Sequence, residues 1–266
     1  MFDVTDILIL ACAACMAGFT AGLLGVGGGM VMVPTLLLFH QSLGFAPDYI
    51  VHTAFATSLA TVVPISITSA LSHYRRGNLD LAIWRRWVVF VGLGGIVGGL
   101  IVRWFESRTL EVMFACLALL VAANLLRLRP VIIWSSPPRG LIWQGALPSL
   151  FGCLGAMFGI GGGTFNVPYL SAMSVPIHRA IGTAAGLGLG LAVPGVIGFA
   201  LGEFTTPDLP AGQIGFISLL GVAVMAPLAV LVTPLGARLN SMIPARPLRV
   251  IFAVYISIVA LRLLFF

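Results

Sequence analysis

Long apolar stretches without a charged residue alternate with short polar segments along the whole chain. A helix needs about 20 residues to cross a bilayer, so these stretches predict membrane spans. Two of them, 41 and 39 residues long, exceed one crossing. The charge-free intervals cover residues 7–47, 49–74, 87–102, 112–126, 140–178, 180–202, 209–237 and 250–261.

Both long intervals are interrupted near their midpoints by the same glycine cluster. Residues 25–29 read Gly-Val-Gly-Gly-Gly and residues 159–163 read Gly-Ile-Gly-Gly-Gly, at an offset of 134 residues. Consecutive glycines break a helix, because each one disfavours the helical conformation. A repeated helix break in an apolar chain is the sequence signature of a transporter's binding site.

The repeat continues beyond the glycines. Residues 54–58 match residues 180–184, and residues 110–115 match residues 248–253. The sequence therefore predicts an all-α integral membrane protein of two repeats, each a broken or re-entrant helix hairpin plus three transmembrane helices. The predicted division is 1–129 for the first repeat, 130–139 for the connecting loop and 140–266 for the second repeat.

Composition supports a membrane location. Hydrophobic residues make up 59% of the chain and charged residues only 8%, against about 25% charged in soluble domains. All 14 basic residues are arginines, and the net charge is +6. These arginines fall between apolar segments, which indicates cytoplasmic loops and argues against a nucleic-acid partner.

The distribution of arginines distinguishes two topologies. If each broken segment crosses the membrane once, the two sides hold six and eight arginines; if each returns to its own side, they hold three and eleven. The positive-inside rule favours the second topology. It gives each half three crossings, so the repeats are inverted, with both termini extracytoplasmic in a cell inner membrane. The first arm, residues 7–24, would itself extend about 27 Å.

The glycine breaks have the properties of an anion site. Backbone amides in the bilayer core must line a cavity or bind something, and a helix beginning after each break directs N–H groups and partial positive charge toward it. No acidic residue falls centrally in a predicted span, which argues against a cation. The predicted substrate-binding residues are Gly27, Gly28, Gly29, Thr35, Thr57, Ser58, Gly161, Gly162, Gly163, Thr164, Asn166 and Thr183.

Packing and local hydrogen bonding offer alternative interpretations for some of these features. Gly18, Gly22, Gly152 and Gly155 are typical of close helix contacts. The hydroxyl groups of Thr57, Ser58 and Thr183 can instead bind carbonyl groups of their own helix. Asn166 is costlier to leave unpaired in a membrane, which favours a functional role.

Residues 22–29 with Val33-Pro34, and residues 155–163 with Val167-Pro168, carry a family resemblance. With the Ala-x-x-Thr-Ser and Ala-Ile-Gly-Thr segments that follow, the chain resembles the sulfite exporter TauE/SafE family, also called the 4-toluene sulfonate uptake permease family, over essentially its whole length. The resemblance implies a secondary membrane transporter, in the export direction, of sulfite, an organosulfonate, sulfoacetate or a similar small anion. No cofactor and no metal are implied.

Several alternatives stay open at this stage. A channel-like anion uniporter and a carboxylate or other anion permease share the same features, whereas an intramembrane enzyme is less favoured because no nucleophile–base motif fits. A homodimer is also open. The second break is followed by Thr-Phe-Asn where the first has Met-Val-Met, so Asn166 is predicted to set selectivity. If transport is coupled to protons, His52 and His178 are the first candidates, followed by His73 and Glu203.

The topology can be tested by labelling. A thiol introduced by Gly77→Cys, in a chain whose four native cysteines are replaced, is expected to react only from the cytoplasmic side, because Gly77 lies on the side that holds eleven arginines. Labelling of intact cells with a membrane-impermeant maleimide measures this. Reaction from outside would contradict the re-entrant topology.

Overall fold

The computed structural model describes residues 4–25, 27–42, 47–127, 133–134, 138, 140–201, 212–240 and 245–265. Within these residues the chain is helical apart from one short β hairpin, so the predicted all-α class is confirmed. The elements are α1 (Val4–Leu24), α2 (Gly29–Ser42), α3 (Pro47–Arg75), α4 (Leu81–Ile101), α5 (Ser107–Leu126), α6 (Leu147–Met157), α7 (Gly163–Ala172), α8 (Ile177–Leu201), β1 (Gln213–Ile214), β2 (Ile217–Ser218), α9 (Leu219–Leu239) and α10 (Ala245–Phe265).

Six helices of the described chain are long and apolar enough to cross a membrane. The number agrees with the prediction, but the set differs by one helix, because α1 is included and α10 is not. Helix α1 has 21 residues and so extends about 32 Å. Helix α10 carries arginines near both of its ends, Arg249 and Arg262.

Both glycine clusters interrupt helices at the predicted places. Helix α1 ends at Leu24 and α2 begins at Gly29, whereas α6 ends at Met157 and α7 begins at Gly163. A π-helical turn, Ile142–Ala146, leads into α6. The segment predicted to connect the halves, 130–139, lies mostly outside the described residues, as does Glu203.

The two halves exchange contacts in a reciprocal pattern. Helix α1 of the first half packs against α9 of the second, and α6 of the second half packs against α4 of the first. Glycines allow these contacts: a Cβ atom on Gly18 would lie 2.2 Å from the carbonyl oxygen of Ala229, and one on Gly152 would lie 2.0 Å from that of Val91. These glycines therefore act as packing surfaces, as their spacing predicts.

The fourth helix of each half, α5 and α10, forms an antiparallel pair. Arg108, near the start of α5, donates hydrogen bonds of 3.0 and 2.9 Å to the carbonyl oxygens of Leu263 and Leu264 at the end of α10. The start of α10 therefore lies beside the end of α5, where Arg127 follows. We refer to the two ends of this pair as the Arg108 end and the Arg127 end.

Tight packing between α4 and α6 makes Gly98 a sensitive position. We expect Gly98→Val to reduce thermal stability, because a Cβ atom there would lie 2.1 Å from the carbonyl oxygen of Cys153 and overpacking costs about 1–3 kcal/mol. Val97→Leu is a matched control, since Val97 is 48% exposed on the outer surface. Heating in detergent followed by gel filtration measures both, and equal losses would contradict this account.

Candidate functional site

The two glycine breaks lie directly against each other. A Cβ atom on Gly27 would lie 2.2 Å from the Cα atom of Gly161, and one on Gly161 would lie 2.4 Å from that of Gly27. Gly27 and Gly159 also have φ angles of 89° and 63°, a region that side chains disfavour. Only glycine satisfies the close approach of the two main chains, so the breaks form one structural unit.

Side chains bind the carbonyl groups that the second break leaves unpaired. The Ser58 hydroxyl group donates a 2.7 Å hydrogen bond to the carbonyl oxygen of Gly159, and the Asn166 amide donates a 2.6 Å bond to that of Gly162. The Asn166 oxygen Oδ1 is buried and has no partner among the described residues. Asn166 thus supports the break and keeps one polar atom available.

The space beside the contact of the breaks is small. A cavity of about 10 Å³ is lined by Gly25, Gly27 and Gly162, together with Ser66 and Ser69. The Ser69 hydroxyl group is buried without a partner in the described structure. Such a volume holds about one water molecule, so this conformation leaves no room for an anion between the breaks.

Thr57 and Thr183 bind the beginnings of helices in the opposite half. The Thr57 hydroxyl oxygen accepts a 2.9 Å hydrogen bond from the N–H group of Ser218, and that of Thr183 accepts a 2.9 Å bond from Asp80. Ser218 and Asp80 are the N-cap residues of α9 and α4. Both threonines therefore join the halves, and their role in substrate binding stays a prediction.

Thr35 follows the alternative that the sequence left open for hydroxyl groups. Its hydroxyl group donates a 3.0 Å hydrogen bond to the carbonyl oxygen of Val31, one turn earlier in α2. Thr164 is buried near the start of α7. Gly28, Gly29 and Gly163 lie at the two breaks themselves.

Histidines contact the end of α1, just before the first break. The His73 ring nitrogen Nε2 lies 3.1 Å from the carbonyl oxygen of Gly22. His178 Nδ1 lies 2.8 Å from Oδ1 of Asn240, whose amide donates to the carbonyl oxygen of Leu23. His178 is thus connected to the first break through Asn240, a connection that spacing alone does not reveal.

His52 contacts a different part of the structure. Its Nε2 atom lies 3.1 Å from the carbonyl oxygen of Phe105, in the connection between α4 and α5. The Phe216 ring, from the β hairpin, lies 5.1 Å from the His52 ring. Proton coupling through His52 or His178 stays a prediction.

A larger cavity, of about 290 Å³, opens at the Arg127 end between α5, α7 and α10. It reaches Gly163 and Thr164, where α7 begins after the second break. The sequence prediction included these two residues but missed the other polar ones, because only the fold shows that the three helices meet. The polar side chains and the glycine that line it are Asn124, Arg127, Gly163, Thr164, Ser171 and Arg249.

A related cavity, of about 340 Å³, lies at the Arg108 end. The 134- and 138-residue offsets of the repeats relate Pro34 to Pro168 and Glu111 to Arg249. The cavity ends at Pro34, about 7 Å along α2 from Gly29, and an apolar cleft between α1, α2 and α10 extends to Val31. The polar side chains of this cavity are Thr35, Gln41, Glu111, Tyr255 and Arg262.

Comparison with known proteins agrees with this architecture. The profile described as "Sulfite exporter TauE/SafE" matches residues 10–263. The chain belongs to the sulfite exporter TauE/SafE family. A probable membrane transporter protein of Haemophilus influenzae is 30% identical to this family member, with 97% of this chain and 98% of that protein covered.

More distant relatives of this TauE/SafE family member carry similar descriptions. A probable membrane transporter protein of Methanocaldococcus jannaschii is 25% identical and covers 97% of both chains. Another, from Bacillus subtilis, is 25% identical over 66% of this chain and 72% of its own. No solved structure matches significantly. Family and relatives thus indicate a multi-pass membrane transporter rather than an enzyme.

The hydrogen bond from Ser58 to the second break can be tested by Ser58→Ala. We expect the free energy of unfolding to fall by about 1–3 kcal/mol, because the Gly159 carbonyl group would be buried without a partner. Thr68→Ala is the control, since the Thr68 hydroxyl group binds only the carbonyl oxygen of Pro64 in its own helix. Unfolding in mixed detergent micelles measures both variants, and an equal effect would contradict the assigned role of Ser58.

Proposed function

We propose that this protein is a secondary transporter that exports small sulfur-containing anions, such as sulfite, an organosulfonate or sulfoacetate, across the cell inner membrane. The two repeats are inverted in this proposal, with both termini extracytoplasmic. Access alternates between the two ends of the α5–α10 pair. The substrate passes the joined glycine breaks on the way.

The observation that carries this proposal is the contact between Gly27 and Gly161 beside the cavity at the Arg127 end. Two interrupted helices from different halves meet there, and the cavity reaches the first residues of α7. Interrupted helices that meet near the membrane midplane are typical of transporter binding sites. A cavity that extends from one end to this junction provides a route for the substrate.

The closed centre favours a carrier over a channel-like uniporter. The cavities at the two ends are separate, and the space beside the breaks holds only about 10 Å³. A channel needs a continuous path, whereas a carrier exposes its site to one side at a time. The reciprocal packing of α1 with α9 and of α6 with α4 supports two halves that can shift against each other.

The chemistry at the Arg127 end favours an anion. Helix α7 begins at Gly163, so its first N–H groups lack partners within the helix and carry partial positive charge. No carboxylate lines this cavity, whereas Arg127 and Arg249 do. The family description names sulfite export, and a sulfur oxyanion offers several acceptor atoms to these donors.

Flux measurements test the proposed transport. Purified protein in sealed vesicles loaded with labelled sulfite is expected to release sulfite faster than protein-free vesicles. Unlabelled sulfite on the opposite side should accelerate the exchange, because a carrier returns faster when loaded. Parallel measurements with sulfoacetate and acetate compare sulfonate with carboxylate.

A closed break provides the matched control for flux. Gly162→Val places a side chain where a Cβ atom would already lie 2.6 Å from the backbone nitrogen of Gly188, so flux should be lost while protein remains in the membrane. The absence of flux for every small anion would refute the proposal. Flux without acceleration by opposing sulfite would instead support the channel-like uniporter.

A further inference from the structure

The cavity at the Arg127 end contains a buried hydroxyl group that nothing in the described structure uses. Ser171, in the last turn of α7, is 8% exposed, and its Oγ atom has no hydrogen-bond partner. A serine hydroxyl group in a membrane helix usually donates to a carbonyl oxygen one turn earlier. Because Ser171 lines the cavity instead, its free donor is available to a ligand there.

Arg249 provides a cation on the facing helix. It is half-buried, one turn into α10, and lines the same cavity as Ser171. The salt bridge found among the described residues joins Arg108 to Glu111, so no described carboxylate neutralises Arg249. A partly buried guanidinium group without an acidic partner attracts an oxyanion, which it can bind through two parallel hydrogen bonds.

The arrangement differs from its counterpart in the other half. The position equivalent to Arg249 is Glu111, and the position equivalent to Ser171 is Leu37, both at the Arg108 end. Glu111 lies 3.2 Å from Arg108, so its charge is already paired. The repeat therefore conserves the cavity but places the charge and the free hydroxyl group at one end only.

We propose that the cavity at the Arg127 end is an oxyanion-binding site in which the Arg249 guanidinium group and the Ser171 hydroxyl group hold the substrate before it reaches the glycine breaks. This site deepens the transport function proposed above and rests on it for the identity of the ligand. The N-terminus of α7 contributes partial positive charge on the side toward Gly163. Arg127 is exposed at the mouth of the cavity and increases the local concentration of anions.

The opposite cavity suits release rather than capture. An anion that arrives there meets the Glu111 carboxylate where Arg249 stood at the other end, and like charges repel. Affinity is therefore higher at the Arg127 end. With the arginine-rich side in the cytoplasm, this difference favours loading from the cytoplasm and release outside.

Direct binding tests the site without requiring transport. Sulfite is titrated calorimetrically into the full-length protein in phosphatidylcholine nanodiscs. We expect Arg249→Gln to weaken sulfite binding by about tenfold or more, since a hydrogen bond to a charged group contributes on this scale. Arg249→Lys keeps the charge and should recover most of the affinity, whereas Arg86→Gln removes an exposed arginine outside the cavity and should change nothing.

Ser171→Ala separates binding from folding. Because the hydroxyl group has no partner in the protein, its removal should leave thermal stability unchanged while weakening sulfite binding several-fold. Loss of stability without loss of binding would overturn the role of Ser171. Unchanged sulfite affinity in Arg249→Gln would overturn the site as a whole.

Nanodiscs that contain phosphatidylglycerol test the other source of an oxyanion, a lipid headgroup. Sulfite affinity that is equal with and without this lipid supports the site for a soluble anion; competition by the lipid, lost in Arg249→Gln, assigns the cavity to a headgroup and overturns the proposal. Flux and binding fail independently. Sulfite flux with binding that ignores Arg249 refutes only the site, whereas binding that depends on Arg249 without any flux refutes only the transport function.

Discussion

The structure depends on one constraint: main chain that leaves a helix inside a membrane must still have its polar groups enclosed and paired. Here the two breaks enclose each other, because Gly27 and Gly161 pack main chain against main chain. Side chains from elsewhere complete the pairing, as Ser58 does for the carbonyl group of Gly159 and His73 for that of Gly22. Neither half could satisfy its own break alone, so the interlocked fold follows from this shared need.

This mutual enclosure also limits how the protein can move. Any path for an ion across the junction requires the breaks to separate, which exposes unpaired groups unless water or substrate replaces the lost contacts. The ordered ends of the molecule change little in such a motion, since Arg108 ties α5 to the end of α10. The cost of opening the junction is thus offset only when something polar occupies it.

Composition and the glycine repeat were sufficient to predict the helical class, the places of the breaks and the packing role of Gly18 and Gly152. They could not show that Thr57 and Thr183 accept hydrogen bonds from N-cap residues of the opposite half, since the partners are more than a hundred residues away. Arg249 was seen only as a topological marker, because its contact with the cavity depends on how α5, α7 and α10 meet. Periodicity describes one helix at a time and carries no information on such meetings.

The contact between Gly27 and Gly161 has a consequence for the evolution of the protein. After an ancestral half was duplicated, neither glycine could change without damaging the other copy, so this part of both halves is held fixed. The flanking positions bear no such restriction, and Met30 and Thr164, or Glu111 and Arg249, have diverged in chemistry while the backbone stayed the same. New substrates can therefore be acquired by substitutions around an unchanging junction.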